Sequence, residues 1–268
     1  MNAHSPHSLH GKNILVFAAT GSIGAVTARH LAAEGAHVWL SGRHPEALEA
    51  LATDITADAG LVSIDVVDAA DDVAVQSYVD RVAAAGSIDG VFNAIGSTPA
   101  ELGYPAVSTA LDQETFFRPI HLILGSTFLT SCAAARHMLA QGSGSIVTLS
   151  ASISGSPVPW MAALTATCGA IEFMTRSLAV EFAPGGVRVN CVRGDAMPDT
   201  RTIPLTSVGM AAIAGVPVEV FAQQLPNPPL GRPVSTQDTA QTVSFMLSDA
   251  SSATSAQVIN VASRAMAG

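Results

Sequence analysis

The chain has 268 residues, of which 49% are apolar and only 12% are charged, and its formal net charge is −9. This length is sufficient to bury the core of one large α/β domain. The negative charge and the lack of any Lys/Arg cluster argue against a nucleic-acid-binding protein. The longest uncharged stretch, 138–171, is broken by glycines, prolines and many hydroxyl side chains, so it predicts buried core and not a membrane span.

The cysteines and the first residues fit a cytoplasmic protein. No signal peptide opens the sequence, so we expect reduced thiols and a cytoplasmic location. The cysteines stand among apolar or small residues at Cys132, Cys168 and Cys191. Residues 1–11 are polar and aperiodic, which predicts a flexible N-terminal tail. Three histidines recur at every third position there, at His4, His7 and His10, but we interpret them as part of a frayed tail and expect no metal site.

Short apolar runs alternate with Ala-rich stretches along the rest of the chain. The apolar runs predict buried strands at Asn13–Ala18, Ala36–Leu40, Gly60–Ile64, Ile88–Ala94, Ser145–Leu149, Gly186–Val192 and Gln257–Val261. The stretches between them predict helices at Ile23–Glu34, Pro45–Ala52, Asp71–Ala85, Thr115–Leu139, Trp160–Phe182 and Gln237–Leu247. Strands separated by helices form parallel βαβ units. The sequence therefore predicts one α/β domain over residues 12–268, a Rossmann-type doubly wound parallel sheet of about seven strands with helices on both faces.

A glycine-containing turn follows the first predicted strand and opens a helix. The turn consists of Ala19, Thr20, Gly21, Ser22, Ile23 and Gly24. The helix N-terminus offers free N–H groups and a positive dipole end to a pyrophosphate. Gly21 would let the backbone approach the phosphates, and Gly24 would let helix and strand pack closely. Ala18 stands where a glycine usually makes the first tight turn, but the strand–turn–helix context still predicts a dinucleotide site.

The end of the second predicted strand indicates which dinucleotide binds. Ser41-Gly42-Arg43 contains no carboxylate, the group that typically binds the free 2′-OH of the adenosine ribose. Arg43 can instead pair with a 2′-phosphate, so we predict NADP(H) as the cofactor. The alternative interpretation is that Arg43 is a solvated loop residue.

The segment from about Gly194 to Arg232 interrupts the alternation of strands and helices. It is rich in Pro, Ala, Met and Val, and it follows the sixth predicted strand. Ligands of open parallel sheets bind at the carboxyl ends of the strands, so a long apolar insertion there predicts a substrate lid. A structural loop that packs against a partner subunit is the alternative.

Several stretches, in order, resemble the short-chain dehydrogenase/reductase family over nearly the whole chain. FAATGSIG resembles its glycine turn, GSIVTLSAS resembles the strand that carries its serine, and SLAVEFAPGGVRVNCV resembles its next helix, loop and strand. GRPVSTQDTAQTVSFMLSDASS and QVINV resemble its C-terminal third. The resemblance implies further cofactor contacts at Asp65 and Val66 for adenine and at Asn93, Ala94 and Gly96 for the family's Asn-Asn-Ala-Gly strand end.

The same resemblance implies an atypical active site. The family uses an Asn, a Ser, a Tyr and a Lys four residues after the Tyr. The flanking stretches align these positions with Ile123, Ala151, Leu164 and Cys168. No other Tyr/Lys pair exists, because the only tyrosines are Tyr78 and Tyr104 and the only lysine is Lys12. The resemblance therefore implies a protein that cannot use the usual Tyr/Lys hydride-transfer chemistry.

Other polar residues are candidates for a substitute role. Tyr104 follows the fourth predicted strand and could supply a proton, although packing is the usual role of a loop tyrosine. His121 on the long helix and Ser152 near the aligned serine position are the other catalytic candidates. Arg193 could hold an anionic group or pair with Asp195. We interpret Cys168 as an inert small apolar residue.

Three functions fit these observations. The first is an NADP(H)-dependent oxidoreductase with a substitute proton donor, acting on a small apolar or carbonyl-type substrate. The second is a non-redox cyclase, isomerase or dehydratase on the same fold. The third is a non-catalytic NADP-binding sensor or partner protein. The resemblance also implies a homodimer or homotetramer that forms through the long helices 115–139 and 160–182.

Overall fold

The structure is a computed structural model, and it describes residues 9–223 and 229–263. Seven parallel strands form one sheet in the order β3-β2-β1-β4-β5-β6-β7, which confirms the doubly wound α/β prediction. The strands are β1 Asn13–Phe17, β2 His37–Gly42, β3 Leu61–Val66, β4 Gly90–Asn93, β5 Gly144–Ala151, β6 Val187–Gly194 and β7 Val258–Val261.

Helices connect these strands and cover both faces of the sheet. They are α1 Ser22–Ala33, α2 Pro45–Ala57, α3 Asp72–Ala85, α4 Pro99–Leu102, α5 Gln113–Pro119, α6 Ser126–Gln141, α7 Ala162–Phe182, α8 Thr202–Ala214, α9 Val218–Gln223 and α10 Thr236–Leu247. Side chains that alternate along β1 enter two separate cores: Ile14 and Val16 pack with α1, α2 and α10, and Leu15 and Phe17 pack with α3, α6 and α7.

The first described residues belong to the folded domain. Leu9 is fully buried, and the backbone N–H groups of Leu9 and Gly11 donate to the carbonyls of Glu34 and Gly35 at 3.3 and 3.1 Å. The predicted flexible tail is therefore wrong for residues 9–11, because Leu9 supplies apolar surface to the core. His4 and His7, weighed above as metal ligands with His10, lie outside the described residues.

The long helix predicted at Thr115–Leu139 is not a regular α-helix. It consists of α5, a π-helical segment at Ile120–Gly125 and then α6. Pro119 has no N–H to donate, and the change of helix type follows it directly. The described residues contain no helix that is both long and apolar enough to cross a bilayer.

Two strands extend further than the sequence predicted. The apolar run at the end of β5 stops at Leu149, but the strand continues through Ala151. The run in β6 stops at Val192, but the strand continues through Gly194 and pairs Arg193 with Ser150 on β5. Sheet pairing thus holds polar residues that the apolar pattern assigned to loops.

The segment after β6 contains two helices that the apolar pattern does not predict. α8 and α9 lie within the predicted lid at 194–232, and residues 224–228 are outside the described part of the chain. α8 covers the loop after α4, since a Cβ added at Gly209 would lie 2.8 Å from Pro105. The role of this segment as a substrate lid stays a prediction.

Candidate functional site

The predicted site residues lie mainly at the carboxyl ends of the strands, and this side of the sheet is called its C-terminal edge below. The strand order reverses between β1 and β4, and parallel sheets bind ligands at the carboxyl ends of their strands near such a reversal. The turn after β1 and the ends of β2, β4, β5 and β6 all lie at this edge.

The turn after β1 presents the N-terminus of α1. Among residues 9–223 and 229–263 no side chain caps that helix, which begins at Ser22, so its first N–H groups are available to an anion. The turn is held in shape by a 3.0 Å hydrogen bond from Gly21 N to the Ala18 carbonyl and a 2.9 Å bond from Ala19 N to the Ser41 carbonyl. A Cβ added at Gly24 would lie 2.6 Å from that Ala18 oxygen, so only glycine allows this close helix–strand approach.

Ala18 adopts the backbone conformation that a glycine usually provides. Its φ is +54°, in the left-handed region, which costs an L-residue about 1–2 kcal/mol. Its methyl group packs against the core cluster that contains Phe17 and Tyr78. The turn therefore forms with alanine at this position, at the cost of local strain.

The residues at the end of β2 fit the predicted contact with a 2′-phosphate. Ser41 is buried, and its Oγ donates to the Val16 carbonyl at 3.4 Å. Arg43 is exposed just beyond the strand and makes no hydrogen bond or salt bridge within residues 9–223 and 229–263. The guanidinium is thus available to an anion at the mouth of the site.

The other predicted cofactor contacts fall into two groups. Asp65 on β3 forms a 2.7 Å ion pair with Arg81, so its carboxylate already has a partner, and Val66 is exposed at the strand end. Asn93 is buried at the end of β4, where it donates to Ser131 Oγ at 2.9 Å and accepts from Thr130 Oγ1 at 2.7 Å. The Asn93 side chain therefore fixes the strand end against α6.

The backbone beyond β4 stays close to the turn after β1. Ala94 N donates to the Phe17 carbonyl at 3.2 Å. A Cβ added at Gly96 would meet no atom within 4 Å, so this position borders open space. Both residues lie where a ligand held at the sheet edge would pass.

Tyr104 lies beside an apolar cluster at this edge. It packs with Leu164 against the buried core that contains Ile123 and Cys191. Burial and the neighbouring Cys168 raise the pKa of Tyr104 to about 12, and a hydrogen bond with Thr206 of α8 only partly opposes them. At neutral pH Tyr104 is therefore a neutral hydroxyl that can donate a hydrogen bond but is a poor general base.

His121 does not join the other candidates. It is exposed on the π-helical segment and stacks on Phe117, with ring centroids 5.9 Å apart. It borders a groove of about 490 Å³ lined by Ile120, His121, Leu124, Gly125, Phe128, Ala170 and Met174. His121 is thus exposed beside this groove, and its catalytic role stays a prediction.

Ser152 contacts a carboxylate at the ends of β5 and β6. Its Oγ donates to Asp195 Oδ1 at 2.8 Å, and the serine is buried. Burial raises the pKa of Cys168 to about 11, so its thiol stays protonated, as expected for an inert residue.

A buried ion pair below this edge was not predicted. Arg193 Nε and one terminal nitrogen donate to the two oxygens of Glu172 on α7 at 2.9 and 2.5 Å, and the two residues are 3% and 4% exposed. Ser150 and Ser154 each donate to Glu172 Oε1 at 2.5 Å. The sequence offers Asp195, two residues away, as the apparent partner of Arg193. The missed signal is that Glu172 follows Cys168 by four residues, on the same face of a helix.

Hydrogen bonds keep both Glu172 and Arg193 in their charged forms. Burial alone would raise the pKa of Glu172, but hydrogen bonds from Arg193, Ser150 and Ser154 lower it below its ordinary value. The carboxylate therefore stays ionised and joins β5, β6 and α7 under the apolar cluster.

The family model described as enoyl-(acyl carrier protein) reductase matches residues 17–263 of this chain. Among curated relatives, cis-4-hydroxycyclohexanecarboxylate dehydrogenase of Sinomonas cyclohexanicum is 32% identical over 240 residues, which are 89% of this chain and 90% of the relative. The protein named inactive 2-(S)-hydroxypropyl-CoM dehydrogenase 2 of Xanthobacter autotrophicus is 32% identical over 222 residues, or 82% of this chain and 91% of the relative.

Solved structures agree with the family match. An NAD⁺-bound xylitol dehydrogenase is 26% identical with a TM-score of 0.84, over 96% of this chain and 99% of that one. A protein assigned as an NAD(P)-dependent gluconate 5-dehydrogenase from Beutenbergia cavernae, with NADP bound, is 28% identical with a TM-score of 0.81, over 97% and 98% of the two chains. The family match and these likenesses show that the chain belongs to the short-chain dehydrogenase/reductase family.

Proposed function

We propose that this chain is an atypical NADP(H)-binding oxidoreductase that does not use a Tyr/Lys pair. The observation that carries the proposal is the placement of the only tyrosines and the only lysine. Tyr78 is buried in the core, where its hydroxyl donates to the Trp39 carbonyl, and Lys12 pairs with Asp249 at 2.7 Å. Tyr104 alone lies near the aligned positions, and it has no lysine beside it.

The residues of the site fit a dinucleotide. The uncapped start of α1 and the close approach at Gly24 suit a pyrophosphate. Arg43, which pairs with no other residue in the described part of the chain, suits a 2′-phosphate. Bound NADPH would supply the hydride, and the protein would supply orientation and electrostatics. The apolar cluster around Leu164 suits a small apolar or carbonyl-type substrate, and neutral Tyr104 would donate a hydrogen bond to its oxygen.

The proposal is tested by following NADPH oxidation with carbonyl and enone substrates. Because general acid–base catalysis contributes about 10²–10⁴-fold, we expect rates lower by about that factor than those of a Tyr/Lys relative. Tyr104→Phe should remove most of the remaining rate, whereas the matched control Tyr78→Phe should not. A wild-type rate equal to that of a Tyr/Lys relative would contradict the proposal. So would a rate in Tyr104→Phe that equals the wild-type rate.

A non-redox reaction is the second candidate function, and the Ser152–Asp195 contact favours it. A carboxylate beside a hydroxyl, next to an apolar cluster, can move protons in an isomerase, cyclase or dehydratase without a hydride. A third candidate, a non-catalytic NADP-binding protein, is favoured by the relative that is named inactive. NADPH binding without any hydride transfer in the assay above would favour these two candidates.

We also propose that the chain forms a homodimer or homotetramer through α6 and α7. Phe173 and Val180 are 70% and 74% exposed and, seven residues apart, share one face of α7. Such a face is typical of an interface. Light scattering should show a dimer or tetramer for the wild type and a monomer for Phe173→Ser/Val180→Ser with unchanged circular dichroism. A monomeric wild type at micromolar concentration would contradict this.

A further inference from the structure

A residue with a strained backbone, Trp160, lies in the loop between β5 and α7. Its φ is +65°, in the left-handed region where a bulky side chain is rarely found. A glycine would adopt this conformation without strain. Strain of this kind persists only where the surrounding structure imposes it, and it is concentrated at functional sites.

The neighbours of Trp160 hold it in this conformation. Pro159 precedes it and has its own φ fixed by the pyrrolidine ring, and Met161, which follows it, is buried. The Trp160 carbonyl accepts a hydrogen bond from Ala106 N at 2.8 Å. The loop that carries Trp160 is therefore bonded to the loop that carries Tyr104.

The indole of Trp160 is available to a ligand. The side chain is partly exposed, and it does not belong to any of the three buried apolar clusters. Among residues 9–223 and 229–263 it makes no hydrogen bond, ring contact or cation–π contact. Tryptophan offers a large flat apolar face, and such faces stack on other flat rings. The fold thus strains the backbone at a residue whose aromatic ring is not paired with any other described ring.

Trp160 belongs to a loop that borders the candidate site on two sides. Leu164, four residues later, packs on the same buried cluster as Tyr104. Ser152, which donates to Asp195, begins the loop at the end of β5. The loop therefore connects the apolar part of the site with its polar part at the C-terminal edge of the sheet.

We propose that Trp160 is a substrate-binding residue that selects ketones whose carbonyl group is conjugated with a flat ring. This inference rests on the proposed function, because it names the substrate class of the same site. The indole would stack on the flat ring of the substrate, and the apolar cluster beside Tyr104 and Leu164 would receive the rest of the molecule. Trp160 would determine specificity and would transfer no proton.

Fluorescence titration without cofactor tests the proposal. The chain contains two tryptophans, so Trp39→Phe leaves Trp160 as the only one. Acetophenone should quench its fluorescence saturably, whereas quenching of free tryptophan by the same ketone should be linear. Cyclohexyl methyl ketone has the same number of carbons but no flat ring, and we expect it to bind about threefold to tenfold more weakly. If Trp39→Phe does not fold, the difference between the wild type and Trp160→Phe gives the same signal.

Two substitutions of Trp160 separate binding from folding. Trp160→Gly removes both the indole and the strain, so its melting temperature should be no lower than that of the wild type. In calorimetry it should bind acetophenone about threefold to tenfold more weakly, and Trp160→Phe, which keeps an aromatic ring, should restore part of the affinity. A melting temperature of Trp160→Gly well below the wild-type value would overturn the proposal, because the indole would then stabilise the fold. Equal binding of the two ketones to the wild type would also overturn it.

The outcomes distinguish this inference from the proposed function. Saturable quenching by acetophenone without any NADPH oxidation would leave the role of Trp160 intact and contradict the oxidoreductase. NADPH oxidation with kcat/KM values for the two ketones that are the same in the wild type and in Trp160→Gly would overturn the role of Trp160 and leave the oxidoreductase intact.

Discussion

Replacing Glu172 by alanine is expected to lower the free energy of unfolding by about 3–5 kcal/mol, because it leaves the Arg193 guanidinium buried without its anion. Ser150 and Ser154 would also lose their common acceptor. Chemical denaturation of the variant and the wild type measures the difference. The matched control is Asp54→Ala, since the pair of Arg29 and Asp54 is exposed and such pairs contribute about 0–1 kcal/mol.

A double substitution identifies the cause of this loss. Glu172→Met/Arg193→Met removes both charges, so it should cost less than the sum of the two single substitutions. If the loss of stability in the double variant equals the sum of the losses in the two single variants, the two residues do not form a coupled ion pair. A loss below 1 kcal/mol in Glu172→Ala would contradict its burial in the folded protein.

The ion pair also predicts a dependence of stability on pH. The pKa of Glu172 is held below its ordinary value of 4.5, mainly by Arg193 against the effect of burial. A lowered folded-state pKa contributes stability that is present above pH 4.5 and is lost as the pH falls through the folded-state pKa. The wild type should therefore lose more stability than Glu172→Ala on acidification below this pH, as measured by denaturation at a series of pH values.

Replacing Arg43 by alanine is expected to weaken NADPH binding by about 1.5–3 kcal/mol, or about tenfold to a hundredfold, and to leave NADH binding unchanged. The reason is that Arg43 is the predicted partner of the 2′-phosphate, which NADH lacks. Arg43 makes no hydrogen bond or salt bridge to the other described residues, so the substitution removes no structural contact of its side chain.

A matched substitution controls for the effect of net charge. Arg29→Ala also removes one positive charge, from an exposed arginine of α1 that pairs with Asp54, and should weaken the binding of neither dinucleotide. Equal loss of NADPH and NADH affinity in Arg43→Ala would contradict the assignment of the 2′-phosphate to this residue.

The sheet and the turn after β1 could be predicted because local patterns specify them. Apolar runs bounded by glycine and polar residues mark buried parallel strands. In the segment from Ala18 to Gly24, the positions of the glycines follow from the close approach of the backbone to phosphates and of the helix to the strand. The chain adopts this geometry although Ala18 has to take a left-handed conformation. Here the tertiary fold prevails over the local preference of one residue.

The rest of the site depends on contacts between distant parts of the chain. Glu172 and Arg193 are 21 residues apart, and only the packing of α7 on β6 brings their side chains together. His121 lies in a π-helical segment that no apolar period in the sequence indicates. Arg201 reaches Thr20 across 181 positions, a pairing that local sequence cannot specify.

The central claim is that this family member binds NADP(H) without a Tyr/Lys pair, and its most direct test is a calorimetric titration of the purified wild type with NADPH, with NADH as the control. We predict saturable binding of NADPH and clearly weaker binding of NADH. Absence of binding of either dinucleotide at millimolar concentration would contradict the claim and leave a cofactor-free enzyme or a binding protein on this fold.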